Sequence, residues 1–267
     1  MLIDTHCHIH DDDYPLDIEQ VMAHAHQAGV GQMICIGTSS ANSQLAMEFA
    51  DNHEGVFASV GVHPHGAKDG LGQLAEIIRM STNLGDFSIQ AEKSAHKLVA
   101  IGEIGLDYHY DGSPHDVQIK ALIEQIKLAL QYNLPIIFHV REAFDDFWPI
   151  IDGFLSAGQQ IKGVLHSFTD TKINADEAIK RGLYIGVNGY STFTKDEAVK
   201  AMFASLPLDK ILLETDAPYL TPNPFRGKVN EPAFVRNVAE FHGAIRQIST
   251  EEVENITTAN AQKLFRL

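Results

Sequence analysis

The chain has 267 residues, 45% of them hydrophobic, and a formal net charge of −15 at pH 7. No apolar stretch approaches the roughly 18 uncharged residues of a membrane span, and the acidity argues against the broad basic face that grips long duplex DNA through its backbone. Two cysteines, Cys7 and Cys35, with no CxxC pattern, make no disulfide framework.

The first residues enter directly into a strand pattern, which leaves no room for a secretory signal, so a cytoplasmic setting is expected. Short apolar, β-branched runs then alternate with helical patterns. Strands are predicted at 1–6, 32–36, 56–63, 98–107, 134–140, 161–166, 183–187 and 210–215. Between them, 3.6-residue periodicity marks helices such as 16–28 (closed by Gly29), 116–131 and 143–155. The longest connection, 64–97, carries one helical patch at 71–80 and then a polar stretch, and reads as a mobile, lid-like excursion. Ser249-Thr250-Glu251-Glu252 reads as a capping box that opens the last helices. Eight strands alternating with helices imply a parallel sheet in a (β/α)8 TIM barrel, expected as a single domain over 1–267.

In such barrels catalytic groups come from the C-terminal ends of strands. Six metal-ligating side chains fall there: His6, His8, Glu103, His139, His166 and Asp216. Imidazole with carboxylate suits zinc, manganese or similar divalent ions. Six ligands exceed the needs of one tetrahedral ion, so two adjacent ions sharing a carboxylate are expected. Such a pair makes hydroxide at neutral pH and clamps both sides of a hydrolytic displacement. Glu103 lies within an apolar strand, where a carboxylate without a partner is costly. Asp216 follows the eighth strand and is placed as the general base for the attacking water. Glu214 competes for that role, because alternation puts both acids on one side. His24 and His26 sit in a helical pattern where i and i+2 diverge, and read as solvated. So do His10 and the acids that follow it. Cys7 alternates away from its histidine neighbours and reads as a buried structural thiol. His63, Arg141 and Arg226 are placed as substrate contacts, arginine being suited to bidentate phosphate recognition. His65 is read as facing solvent.

Five segments resemble the TatD family of metal-dependent hydrolases, within the amidohydrolase superfamily. They are Asp4-Thr5-His6-Cys7-His8, Gly61-Val62-His63-Pro64, Gly102-Glu103-Ile104-Gly105-Leu106-Asp107-Tyr108, Leu134-Pro135-Ile136-Ile137-Phe138-His139-Val140-Arg141-Glu142-Ala143, and Glu214-Thr215-Asp216-Ala217-Pro218-Tyr219-Leu220-Thr221-Pro222. The stretch from Arg226 to Pro232 and the closing Thr257 to Phe265 also look like that family, so the likeness runs along nearly the whole chain. The resemblance implies that His6, His8, Glu103 and Asp216 hold one divalent ion, while Glu103, His139 and His166 hold a second, with Glu103 bridging. It implies magnesium, manganese or zinc as cofactor, and a deoxyribonuclease that trims single-stranded or frayed DNA ends from 3′ to 5′ with a metal-bound hydroxide. Nucleic-acid ends are then the expected partner; no membrane and no protein partner follow. Hydrolysis of another ester or amide, such as D-aminoacyl-tRNA deacylation, is the alternative, and a non-enzymatic scaffold a third reading. Three features depart from the family pattern: Asp170 replaces a usual glycine in His166-Ser167-Phe168-Thr169-Asp170, His10 replaces a common aspartate, and 81–96 is longer than usual.

Overall fold

Each apolar run expected as a strand forms one. In the computed structural model, which describes residues 1–82 and 97–267, the strands are β1 (Leu2–Cys7), β2 (Val30–Ile36), β3 (Val56–Val60), β4 (Leu98–Asp107), β5 (Ile136–Arg141), β6 (Gly163–Leu165), β7 (Tyr184–Val187) and β8 (Ile211–Leu213). Their order in the sheet is β1 through β8, which with the intervening helices is the (β/α)8 TIM-barrel pattern. The helices are α1 (Ile18–Gln27), α2 (Ser40–Asn52), α3 (Leu74–Thr82), α4 (His115–Gln131), α5 (Phe144–Ser156), α6 (Lys172–Lys180), α7 (Tyr190–Phe193), α8 (Glu197–Ser205), α9 (Val235–Arg246) and α10 (Thr250–Phe265). The excursion expected over 64–97 is described only in part, as a 3₁₀ turn at Pro64–Asp69 and helix α3; its polar stretch lies outside the described residues.

Chain contacts divide the fold into two compact units, Met1–Ile34 with His166–Leu267, and Cys35–Leu165. In the first, β7 and β8 pair in parallel, from Ile185 opposite Ile211 to Val187 opposite Leu213. The end of β1 is bonded to the chain just past β8. Asp216 N–H donates to the His6 carbonyl and His8 N–H to the Ala217 carbonyl, both at 2.8 Å. Asp4 secures this junction from inside β1, accepting the Thr215 N–H at 2.8 Å and the Thr215 hydroxyl at 2.5 Å. Burial pushes the Asp4 carboxyl up to about 8, against the lowering effect of the hydrogen bonds from Thr215 and His6. Side-chain caps start the helices: Asp17, Thr171, Asp196 and Ser249 each accept a first-turn N–H, each contributing about 1 kcal/mol. The expected Ser249 cap is present, with Glu252 N–H as its donor at 3.1 Å.

In the second unit, β3 to β6 pair in parallel in chain order. All ten residues of β4 are buried, as expected for a strand covered on both faces. Phe138 of β5 meets Phe147 of α5 edge-on at 5.2 Å, and both are fully buried. Two buried glutamines of α4 satisfy the backbone where strands end and no ladder partner remains. Gln125 bonds both the N–H and the carbonyl of Val62, and Gln118 does the same for Asp107.

Three strands are shorter than the apolar runs suggest. Lys210 closes a 3₁₀ turn, Leu208–Lys210, before β8 begins. After Leu213 the Thr215 amide is taken by the Asp4 side chain. β3 stops at Val60 because the Gly61 and Val62 amides go to the side chains of Ser43 and Gln125, and β6 keeps only its central three residues.

Candidate metal centre

Four of the expected ligands come together in the first unit. His6 and His8 are two apart on extended chain and share a side; their Nε2 atoms stand 3.2 Å apart. The β1–β8 junction brings Asp216 beside them, its Oδ1 at 3.7 Å from His6 Nε2 and 3.6 Å from His8 Nε2. His166 stacks on His6 with ring centroids 3.6 Å apart. Burial opposes ionisation of Asp216, yet the hydrogen bond to His8 and the nearby His166, His6 and His8 hold its carboxyl below the usual range.

Glu214 and Asp216, inseparable by alternation, take different partners. Glu214 Oε1 lies 3.2 Å from His166 Nδ1 and accepts the Ser167 N–H at 2.6 Å. Asp216 goes to His6 and His8, because β8 has already ended and its own backbone is left-handed, with φ of 60°. Aspartate tolerates that region better than most residues, and strand alternation does not extend to it.

The second unit gathers a separate cluster. His139 Nδ1 bonds Glu103 Oε1 at 2.7 Å and its Nε2 bonds Asp107 Oδ2 at 3.0 Å. Both ring nitrogens therefore face a carboxylate. Burial pulls the His139 value down, but the bonds to Asp107 and Glu103 outweigh it and push the ring up to about 9. Asp107 is correspondingly held well below the usual range: burial acts against ionisation, and His139 with the amides of His109 and Tyr110 overcomes it. His63 Nε2 stands 3.7 Å from Glu103 Oε1. Burial holds His63 neutral, down to about 3, and the His65 amide donates to its Nδ1, so the ring proton sits on Nε2.

Other expectations divide. Arg141 lies 4.9 Å from the Tyr110 ring centroid. Arg226 stacks on Phe193 at 3.8 Å and donates to the Thr221 carbonyl at 2.9 Å. Cys7 is turned away as expected, with Sγ 3.5 Å from the Ile34 carbonyl, and His24 and His26 are exposed on α1. His10 is not solvated: it is 7% exposed, because a turn bonding Asp11 N–H to the His8 carbonyl follows the strand directly. Its Nε2 lies 3.3 Å from Asp11 Oδ1. His65, read as facing solvent, bonds Asp107 Oδ2 at 3.0 Å while keeping part of its ring exposed. Asp170 accepts from the Thr171 amide and from Asn174 at the start of α6. Asp107 was not singled out from sequence, although an acid closing a ten-residue apolar strand carries the same signal as Glu103.

The donor set suits a divalent ion. The ligand atoms of His6, His166 and Glu214 lie within 4.8 Å of one another, as do those of His63, Glu103 and His139. Glu214 Oε2 is buried and makes no hydrogen bond among the described residues. A buried acceptor left this way costs about 1–3 kcal/mol, which a cation would relieve. Among the described residues no helix is long and apolar enough to cross a membrane.

Imidazole–carboxylate clusters at the strand ends of a (β/α)8 fold define a metal-dependent hydrolase. The chain belongs to the family described as TatD related DNase, whose profile matches residues 3–266. It is 38% identical to YabD of Bacillus subtilis (strain 168), an uncharacterized metal-dependent hydrolase, over 100% of both chains. It is 33% identical to the 3′-5′ ssDNA/RNA exonuclease TatD of Cronobacter sakazakii (strain ATCC BAA-894), covering 99% of this chain and 97% of that one. The crystal structure of YjjV, a TatD homolog from Escherichia coli K12, is similar with a TM-score of 0.86 and 30% identity, over 100% of this chain and 98% of that chain.

Proposed function

We propose that the chain is a divalent-metal-dependent 3′–5′ exonuclease acting on single-stranded or frayed DNA ends in the cytoplasm, the whole chain serving as one catalytic domain. The observation that carries this reading is the pair of imidazole–carboxylate clusters, His6, His166 and Glu214 in one unit and His63, Glu103 and His139 in the other. Two relatives of about one-third identity bear the name 3′-5′ ssDNA/RNA exonuclease TatD. In this reading His6, His8, His166 and Asp216 of the first unit and Glu103 and His139 of the second would hold divalent ions, with Glu214 supporting His166. Divalent ions in such a set acidify water and offset charge on a phosphoryl oxygen; which ion serves is a matter of availability among magnesium, manganese and zinc.

The chain's own groups orient the reactants. Asp216, beside His6 and His8, accepts the proton of the attacking water. His63 donates from Nε2 to a phosphate oxygen, and Arg141 and Arg226 hold the phosphodiester from outside. A net charge of −15 favours ends over extended duplex, since little counterion release is on offer.

The test is a time course on a 5′-labelled single-stranded oligonucleotide with magnesium, manganese or zinc, beside Asp216→Asn. A ladder shortening from the 3′ end, absent in the variant, is expected. No cleavage by protein shown to bind metal would overturn the nuclease reading. Hydrolysis of a carboxyl ester or aminoacyl-tRNA in parallel assays would then assign the site to that chemistry.

A further inference from the structure

Tyr110 is 52% exposed, one of few large apolar side chains so open among the described residues, yet it is not loosely held. Asp107 Oδ1 accepts the N–H groups of His109 at 2.9 Å and Tyr110 at 3.2 Å, which anchors the backbone of the loop after β4. The other oxygen of the same carboxylate binds His139 Nε2 and His65 Nε2, each at 3.0 Å. One buried acid thus positions both a candidate metal ligand and an exposed aromatic ring. The ring stands nearly perpendicular to those of His109 at 4.7 Å and His65 at 5.5 Å, and the Arg141 guanidinium lies over it, 4.9 Å from its centroid.

We propose that Tyr110 and Arg141 form a nucleotide subsite, the base stacking on the Tyr110 ring while Arg141 holds an adjoining phosphate. This rests on the exonuclease reading above and names where its substrate is gripped. An aromatic face accepts any base, because every base has a π-face, and arginine reads phosphate without reading sequence. Such a subsite gives purchase on a single strand to a protein whose net charge of −15 repels polyanions. It also excludes intact duplex, whose bases are already stacked.

The test compares wild type, Tyr110→Ala and Tyr110→Trp on a short 5′-labelled single-stranded DNA, and on the same strand with tetrahydrofuran abasic residues at its last 3′ positions. On the base-bearing strand Tyr110→Ala is expected to raise KM about tenfold with little change in kcat, and Tyr110→Trp to retain wild-type KM. On the abasic strand wild type and Tyr110→Ala are expected to coincide. Equal KM values for wild type and Tyr110→Ala on the base-bearing strand would overturn the subsite, as would a penalty that persists on the abasic strand. Failure of the wild type itself to shorten either strand would overturn the exonuclease reading and the subsite together, and is told apart by needing no variant.

Discussion

Gly105 lies directly opposite His139 in the β4–β5 ladder, and a Cβ at 105 would come within 1.7 Å of the His139 carbonyl oxygen. This close approach sets His139 between Glu103 and Asp107, which flank Gly105 two residues to either side on the same face of β4. Both ring nitrogens are engaged as a result.

Gly105→Ala must therefore separate the two strands or move His139. A loss of about 2 kcal/mol or more is expected from overpacking, together with weakened metal binding. Urea unfolding and metal titration check both; an unchanged midpoint would show that the strands give way freely.

Asp107→Asn keeps an oxygen for the His109 and Tyr110 amides but removes the charge that faces His139. Removing such an outer partner of a ligating histidine costs about 10–100-fold in metal affinity or activity. The expected outcome is that loss together with lower unfolding stability, since the amide leaves the part-buried His139 and His65 ring nitrogens without their acceptor. Metal affinity equal to wild type would mean that Glu103 alone orients the His139 ring.

His242 is fully buried on α9, donating from Nε2 toward Ser191 Oγ at 3.2 Å and accepting Arg246 Nη1 on Nδ1 at 2.7 Å. Burial, then the Arg246 charge, lowers its value from 6.5 to about 3. Between those values the unfolded chain binds a proton that the folded chain refuses. The His242 contribution to stability is thus complete above about pH 6.5 and is lost, by about 1.4 kcal/mol per pH unit, as pH falls toward 3. The stability gap between wild type and His242→Gln should be constant above neutrality and shrink steadily below pH 6. A gap independent of pH would place the proton elsewhere.

Stripping metal should lower thermal stability without unfolding the chain, since much of the fold is built from apolar strands independent of the ligands. An ion at one hundred times its dissociation constant adds about 2.7 kcal/mol, a rise of a few degrees in Tm. Glu214→Gln should reduce that rise. A Tm indifferent to manganese, zinc and a chelator would contradict the ligand assignment.

The fold was open to reading because strand length, apolar content and helix periodicity are local properties of the chain. Each predicted strand lies within three residues of an observed one. His6 and His8, two apart at a strand end, could be read as a pair for the same local reason, and Cys7 as turned away. Other features depend on groups distant in sequence. The Asp4 side chain takes the Thr215 amide, ending β8 early and releasing Asp216 into a left-handed conformation that assigns it to His6 and His8 and leaves Glu214 to His166. His10 is buried by a turn that no apolar pattern announces. Asp107 becomes a partner of His65 and His139 because Gly105 lets two strands approach within touching distance of the backbone. Local pattern sets which segments become strands and helices; hydrogen bonds and steric room between distant segments choose which acid serves which histidine.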